Sequence, residues 1–219
     1  MTAVKICGIK TEAHALAAAE AGADFIGLVF TRSPRQITPA QANKIVAALK
    51  RGKKDTPEIV GVFVNTPVHV VNRIAEFCQL DRVQLSGDET MDYCREIKPA
   101  LFKVMRVSRN YKAEQVCQDL AAWSKVLSGQ KHRFLLDSYD RDRYGGTGQQ
   151  LDWDVAGSIA KKFKVIIAGG LTPENVGEAI KTARPWGVDV SSGVETEGEK
   201  DVKKIRDFIK AVREADLSS

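Results

Sequence analysis

Cys7 closes the short apolar run Val4–Cys7 and is followed at once by Gly8. A thiol in that place is either a small buried hydrophobe or a proton-transferring group at the mouth of a site. Asp137 ends a second apolar run, Phe134–Asp137. A strand-end aspartate often caps the next helix, but it also serves as a general acid. Three glycine-bearing turns fall late in the chain: Gly145-Gly146-Thr147-Gly148, Ala168-Gly169-Gly170-Leu171 and Ser191-Ser192-Gly193. Glycine lets backbone N–H groups approach an anion with no side chain between, and serine and threonine hydroxyls add donors. Any one of these is a tight turn; three in succession point to a bound phosphate. Thiol, carboxyl and cradle together are the parts needed to move protons on a phosphorylated small molecule.

Such groups must be held on one rim, and the rest of the chain supplies the means. Eight β-branched runs alternate with amphipathic segments of about three turns. The expected strands are Val4–Cys7, Phe25–Phe30, Ile59–Val64, Arg82–Leu85, Phe102–Val107, Phe134–Asp137, Val165–Ala168 and Val188–Ser191. Thr11 opens the first helix and Gly22 ends it; Thr38-Pro39 and Thr172-Pro173-Glu174-Asn175 read as further helix starts. No Pro/Gly/Ser linker divides the 219 residues. The pattern predicts one α/β domain over residues 1–219, a single (β/α)₈ TIM barrel with short loops. An open doubly wound sheet is the alternative, but it places its phosphate glycines after the first strand, where this chain has Cys7-Gly8-Ile9.

In a closed barrel the first and eighth strands are neighbours. Lys5 and Asp189 then fall on inward faces and are expected to pair beneath the site, since a buried charge needs a partner. Cys7 and Asp137 lie above them as candidate acid and base, and loops after strands seven and eight of such barrels often bind phosphate.

The composition is that of an ordinary soluble globular protein. Net charge is +5, with 43% hydrophobic and 28% charged residues. The basic clusters Lys50-Arg51-Gly52-Lys53-Lys54 and Lys161-Lys162 fall at expected helix ends, where the dipole favours cations, and no basic–aromatic alternation marks a nucleic-acid surface. No apolar stretch reaches the ~20 residues of a membrane helix, and the N-terminus lacks a signal-peptide pattern, so the reading is cytoplasmic with no membrane partner. Cys7, Cys78, Cys94 and Cys117 form no C-x-x-C pair, and His14, His69 and His132 stand far apart, so no metal site is expected.

The sequence resembles the phosphoribosylanthranilate isomerases of tryptophan biosynthesis along nearly its whole length. The segments that carry the resemblance are "KICGI", "GADFIGLVF", "SPR", "VGVFVN", "VQLSG", "LLD", "YGGTG", "AGGLTPENV" and "GVDVSSGVE", in that order. Two positions depart from the family pattern: Ser86, where histidine is usual, and Gln149, where lysine is frequent. The resemblance implies an Amadori rearrangement of N-(5-phosphoribosyl)anthranilate with no cofactor and no metal, by a monomer or homodimer. It implies Asp137 as the acid that opens the ring and Cys7, as thiolate, as the base at the sugar C2. It implies Arg35 as the holder of the anthranilate carboxylate, with Asp189 nearby. Gly146, Thr147, Gly148, Gly169, Gly170, Ser191, Ser192 and Gly193 would surround the phosphate. A free cysteine titrates near ~8.5, so the site must favour the thiolate or work with a small fraction of it; Lys5 and loop amides are the expected helpers. A histidine-pathway isomerase would carry aspartate in place of Cys7 and a second phosphate site. A silent phosphosugar-binding barrel would have no use for Cys7 with Asp137. A Schiff-base aldolase would need a strand lysine such as Lys103.

Overall fold

The computed structural model describes residues 1–52, 56–107, 111–138 and 151–218. Eight parallel strands close into a barrel in chain order: β1 (Ala3–Cys7), β2 (Phe25–Val29), β3 (Glu58–Phe63), β4 (Arg82–Leu85), β5 (Ala100–Val107), β6 (His132–Ser138), β7 (Val165–Ile167) and β8 (Gly187–Val190). β1 pairs with β8, with Lys5 opposite Asp189, so there is no free sheet edge. Helices α1 (Glu12–Ala21), α2 (Pro39–Gly52), α3 (Val68–Phe77), α4 (Met91–Arg95), α5 (Ala113–Val126), α6 (Trp153–Ala160), α7 (Val176–Ala183) and α8 (Val202–Leu217) follow the strands in turn. After β8 come a 3₁₀ turn at Ser192–Val194 and a small antiparallel hairpin, β9 (Glu195–Thr196) with β10 (Glu199–Lys200). Among the described residues no helix is long and apolar enough to cross a membrane.

All eight expected strands are present, Arg82–Leu85 as expected and the others with one or both ends shifted by one or two residues. Thr11 caps α1, accepting from the His14 amide, and Gly22 ends it at φ 96°. Thr38 and Gln41 cap α2 reciprocally: the Gln41 amide donates to Thr38 Oγ1 at 3.3 Å, and the Thr38 amide to Gln41 Oε1 at 2.8 Å. At Thr172 the expectation needs adjustment. The chain makes one turn first, with the Thr172 amide donating to Asn175 Oδ1 at 2.8 Å, and α7 starts only at Val176.

Side chains of each strand divide between two cores. Outward residues such as Ile6, Leu28, Phe63 and Leu101 pack under the helices with Ile45, Ile159 and Phe208. Inward residues fill the lumen: Phe25, Val60, Phe102, Val104, Leu135 and Ile166 cluster together. Phe25 on β2 meets Phe102 on β5 edge-on at 5.3 Å, a contact possible only across the barrel. Below them Arg82 stacks on both rings, at 5.4 and 5.0 Å, and bonds Glu58. This end of the lumen is closed, so access is from the carboxyl ends of the strands.

Candidate active site

The open end holds a cleft of about 530 Å³, lined from β1–β6, β8 and the loops after β2, β7 and β8. At its floor Lys5 and Asp189 form the expected ion pair, Nζ to Oδ1 at 2.9 Å. Lys5 is 1% exposed, a burial that only a partnered ammonium tolerates.

Cys7 sits directly above, buried, with Val29 and Val62 as apolar neighbours. Space for its sulfur comes from a residue that the sequence reading passed over. A methyl group on Gly27 would stand 2.8 Å from Cys7 Sγ. Burial pushes the thiol above its ordinary value; Lys5 pulls it down and Asp189 pushes it up again. Of the two expectations for Cys7, a thiolate favoured by the site or a small thiolate fraction, the second fits: Lys5 helps as expected, but desolvation outweighs it.

Asp137 reaches the cleft from β6 and is half-buried. Burial first, then the charge of Asp189, raise its carboxyl to about 6. Glycine again makes room: at Gly169, φ 88°, a Cβ would lie 2.9 Å from Asp137 Oδ1. A carboxyl poised near 6 can donate a proton at neutral pH, which an ordinary aspartate does poorly.

Arg35 lies in the loop between β2 and α2, its stem over Gly8. Gly8 has φ 81°, and any Cβ there would strike Arg35 Cδ at 2.5 Å. The guanidinium is not an unengaged fork. Its Nε and Nη2 donate to Glu195 Oε1 and Oε2 at 2.7 and 2.6 Å. Arg35 also lines the cleft.

Two of the three glycine turns are described. Gly169 and Gly170 follow β7 with φ 88° and 67°, a left-handed pair that aligns successive amides. Asn175 fixes this loop by donating to Gly170 O at 2.9 Å. Ser191, Ser192 and Gly193 form the turn after β8, and a methyl on Gly193 would meet Leu171 O at 1.9 Å, so the two loops touch. Among the described residues the amides of Gly170, Ser192 and Gly193 have no acceptor within the protein. Unpartnered amides converging on one corner suit an anion chemically. Gly146, Thr147 and Gly148 lie outside the described residues, as does Gln149.

The sequence reading also missed Glu195, Lys200, Gln84 and Arg106. Gln84 shares the inward face of β4 with Arg82 and Ser86, and that polar alternation was a legible signal. Its Nε2 donates to Ser86 Oγ at 3.2 Å. Arg106 donates to Ser86 O at 2.6 Å beside Asp137. Glu195 and Lys200 lie in a hairpin with no helical or strand periodicity to mark them. Lys103, conversely, points away from the cleft: it bonds Glu89 at 2.7 Å and Gly87 O at 2.8 Å beneath the Trp123 ring, which removes the Schiff-base reading.

Comparison with known proteins places the chain among relatives along nearly its whole length. The sequence model of the N-(5'phosphoribosyl)anthranilate (PRA) isomerase family matches residues 4–211. An N-(5'-phosphoribosyl)anthranilate isomerase of Dehalococcoides mccartyi is 46% identical over 216 residues, covering 99% of this chain and 98% of that one. The crystal structure of phosphoribosyl anthranilate isomerase from Thermotoga maritima superposes with a TM-score of 0.83 at 35% identity, covering 98% and 100% of the two chains. A phosphoribosyl anthranilate isomerase crystallised with reduced 1-(o-carboxyphenylamino)-1-deoxyribulose 5-phosphate superposes at 0.79, with 34% identity and coverage of 98% and 100%.

Proposed function

Because the chain belongs to the N-(5'-phosphoribosyl)anthranilate isomerase family, and so is an isomerase of tryptophan biosynthesis, we propose that it carries out the rearrangement with Asp137 as acid and Cys7 as base. The observation that carries this assignment is the placing of a buried thiol and a carboxyl raised to about 6 in one cleft with an amide-lined corner.

The phosphate is held by the amides of Gly170, Ser192 and Gly193, with Ser191 on the same turn; Gly146, Thr147 and Gly148, which the resemblance adds to this set, lie outside the described residues. The anthranilate carboxylate meets the donors of Arg35 that Glu195 leaves available. Asp137 gives its proton to the furanose ring oxygen; the C1–O bond breaks and a protonated imine forms between C1 and the anilino nitrogen. Cys7 as thiolate then removes the C2 proton, which the adjacent iminium has made acidic. The electron pair of that C–H bond closes the enolamine, and a proton added at C1 with loss of the C2 hydroxyl proton gives the ketose amine.

The two groups work in their less populated ionic arrangement. Asp137 titrates at about 6 and Cys7 above its ordinary value, so on raising the pH the acid ionises before the base does. The competent form, with Asp137 protonated and Cys7 ionised, is a minority at every pH. The rising limb of the pH–rate profile then belongs to Asp137's titration range and the falling limb to Cys7's, although the roles are the reverse.

Freshly made phosphoribosylanthranilate tests the reading: the protein should abolish its anthranilate-type fluorescence catalytically. Fluorescence that persists with folded protein present would sink the assignment.

A further inference from the structure

The β9–β10 hairpin carries two charged side chains that the mechanism above leaves unused. Glu195 and Lys200 are 7% and 1% exposed at their side chains and pair at 2.6 Å. Burying two ions costs several kcal/mol each before their attraction is counted, and an apolar pair would close a rim as well. These two reach both working ends of the cleft. On one side Glu195 accepts both hydrogen bonds from Arg35. On the other, Lys200 Nζ donates to Ser191 O at 2.9 Å and lies 3.4 Å from Ser191 Oγ. Ser191 Oγ in turn donates to the Cys7 carbonyl at 3.1 Å.

Counting charge around the thiol separates two groups. Lys5, on the thiol's own strand, is matched one for one by Asp189 on β8. Arg35, Glu195 and Lys200 are two cations sharing one carboxylate, so that cluster is net positive. β2 and β3 present only Gly27, Val29 and Val62 to the sulfur. Asp137 and Arg106 stand side by side on β6 and β5 elsewhere around the cleft. Lys5 is thus the stronger cation toward Cys7 but shares its charge with Asp189, and Lys200 adds a second pull from a cluster that keeps a net positive charge.

We propose that Lys200 is a positioning residue that stabilises the Cys7 thiolate through its fixed charge, and that Glu195 holds Lys200 and Arg35 in one frame. The proposal rests on reading Cys7 as the base. Lys200 stays protonated throughout and exchanges no proton with substrate; the frame keeps base and carboxylate anchor at a constant separation.

The test is the pH dependence of Cys7 alkylation by iodoacetamide, followed on the Cys7 peptide by mass spectrometry in the full chain. Lys200→Met should move the midpoint up by about one pH unit, with roughly tenfold slower alkylation at neutral pH. kcat should fall while KM stays near wild type. Lys200→Arg, which keeps the charge, should restore the midpoint. Glu195→Gln leaves both cations uncompensated and should move the midpoint down while raising KM. A folded Lys200→Met protein with an unmoved midpoint overturns the proposal. Should that variant not fold, a Glu195→Gln midpoint that rises or stays put does the same. Alkylation reports the thiol whether or not it is the base, so full activity in Cys7→Ala would sink the parent reading and leave this measurement standing.

Discussion

Two arginine–glutamate pairs stand at opposite ends of the barrel, and they differ in what surrounds them. Arg82 at the closed end is 5% exposed, lies over Phe25 and Phe102, and bonds Glu58, whose side chain is 42% exposed to solvent. Arg35 at the open end is paired through two hydrogen bonds with buried Glu195, which is shared with Lys200. The first pair spends its cation on aromatic faces and plugs a lumen. The second lines a cleft with its guanidinium side chain and ties it to the turn that touches Cys7. The same two residue types make a floor in one place and an anchor in the other. The difference lies in whether the arginine meets aromatic carbon or lines a cleft. On this contrast, substitutions at the mouth should cost activity and those at the base should cost stability.

The contrast is strongest for the proton-transfer pair. Cys7→Ala should lose ~10²–10⁴-fold in kcat, as positioned acid–base groups contribute, with substrate still bound through phosphate and carboxylate. Cys7→Ser should be little better, because a hydroxyl supplies almost no anion at neutral pH. Asp137→Asn should lose a similar factor but stall before ring opening, so that an open-chain analogue rescues it and does not rescue Cys7→Ala. Near-native turnover in both folded variants would erase the distinction between mouth and base. Arg35→Ala comes next: about 1.5–3 kcal/mol of binding, seen in KM, from losing charge-assisted hydrogen bonds. An unchanged kcat/KM would return Arg35 to a purely structural role beside Arg82.

Arg82→Met should leave kcat/KM intact and lower stability by about 2 kcal/mol, the scale of a desolvated cation–aromatic contact, measured by denaturant unfolding. A second stability effect carries the opposite sign. Asp137 holds its proton more tightly when folded, at about 6 against 3.8, so its contribution to stability is full below pH ~3.8 and is lost as pH rises through 6. Asp137→Asn is therefore expected to melt a few degrees higher than wild type at pH 8, with no gain at pH 3. Equal melting temperatures at pH 8 would mean that the carboxyl is better solvated than its burial suggests.

The strands, the closure of the barrel and the Lys5–Asp189 pair were legible in the sequence, because alternation and strand order fix which residues face inward and which strands meet. That Cys7, Asp137 and the glycine turns after β7 and β8 reach one cleft was legible for the same reason: each ends a strand, and strand ends share one rim. Tertiary structure alone decided the rest. Whether Cys7 rests as thiol or thiolate depends on how burial and Asp189 weigh against Lys5, and desolvation is a property of the packed site. The partner of Arg35 stands 160 residues away in a hairpin with no periodic signature. Gly27 looks like any strand glycine until Cys7 Sγ is seen to need its missing side chain. Local pattern determined which groups reach the rim; long-range packing and the charges it buries together determined their ionic state and their partners.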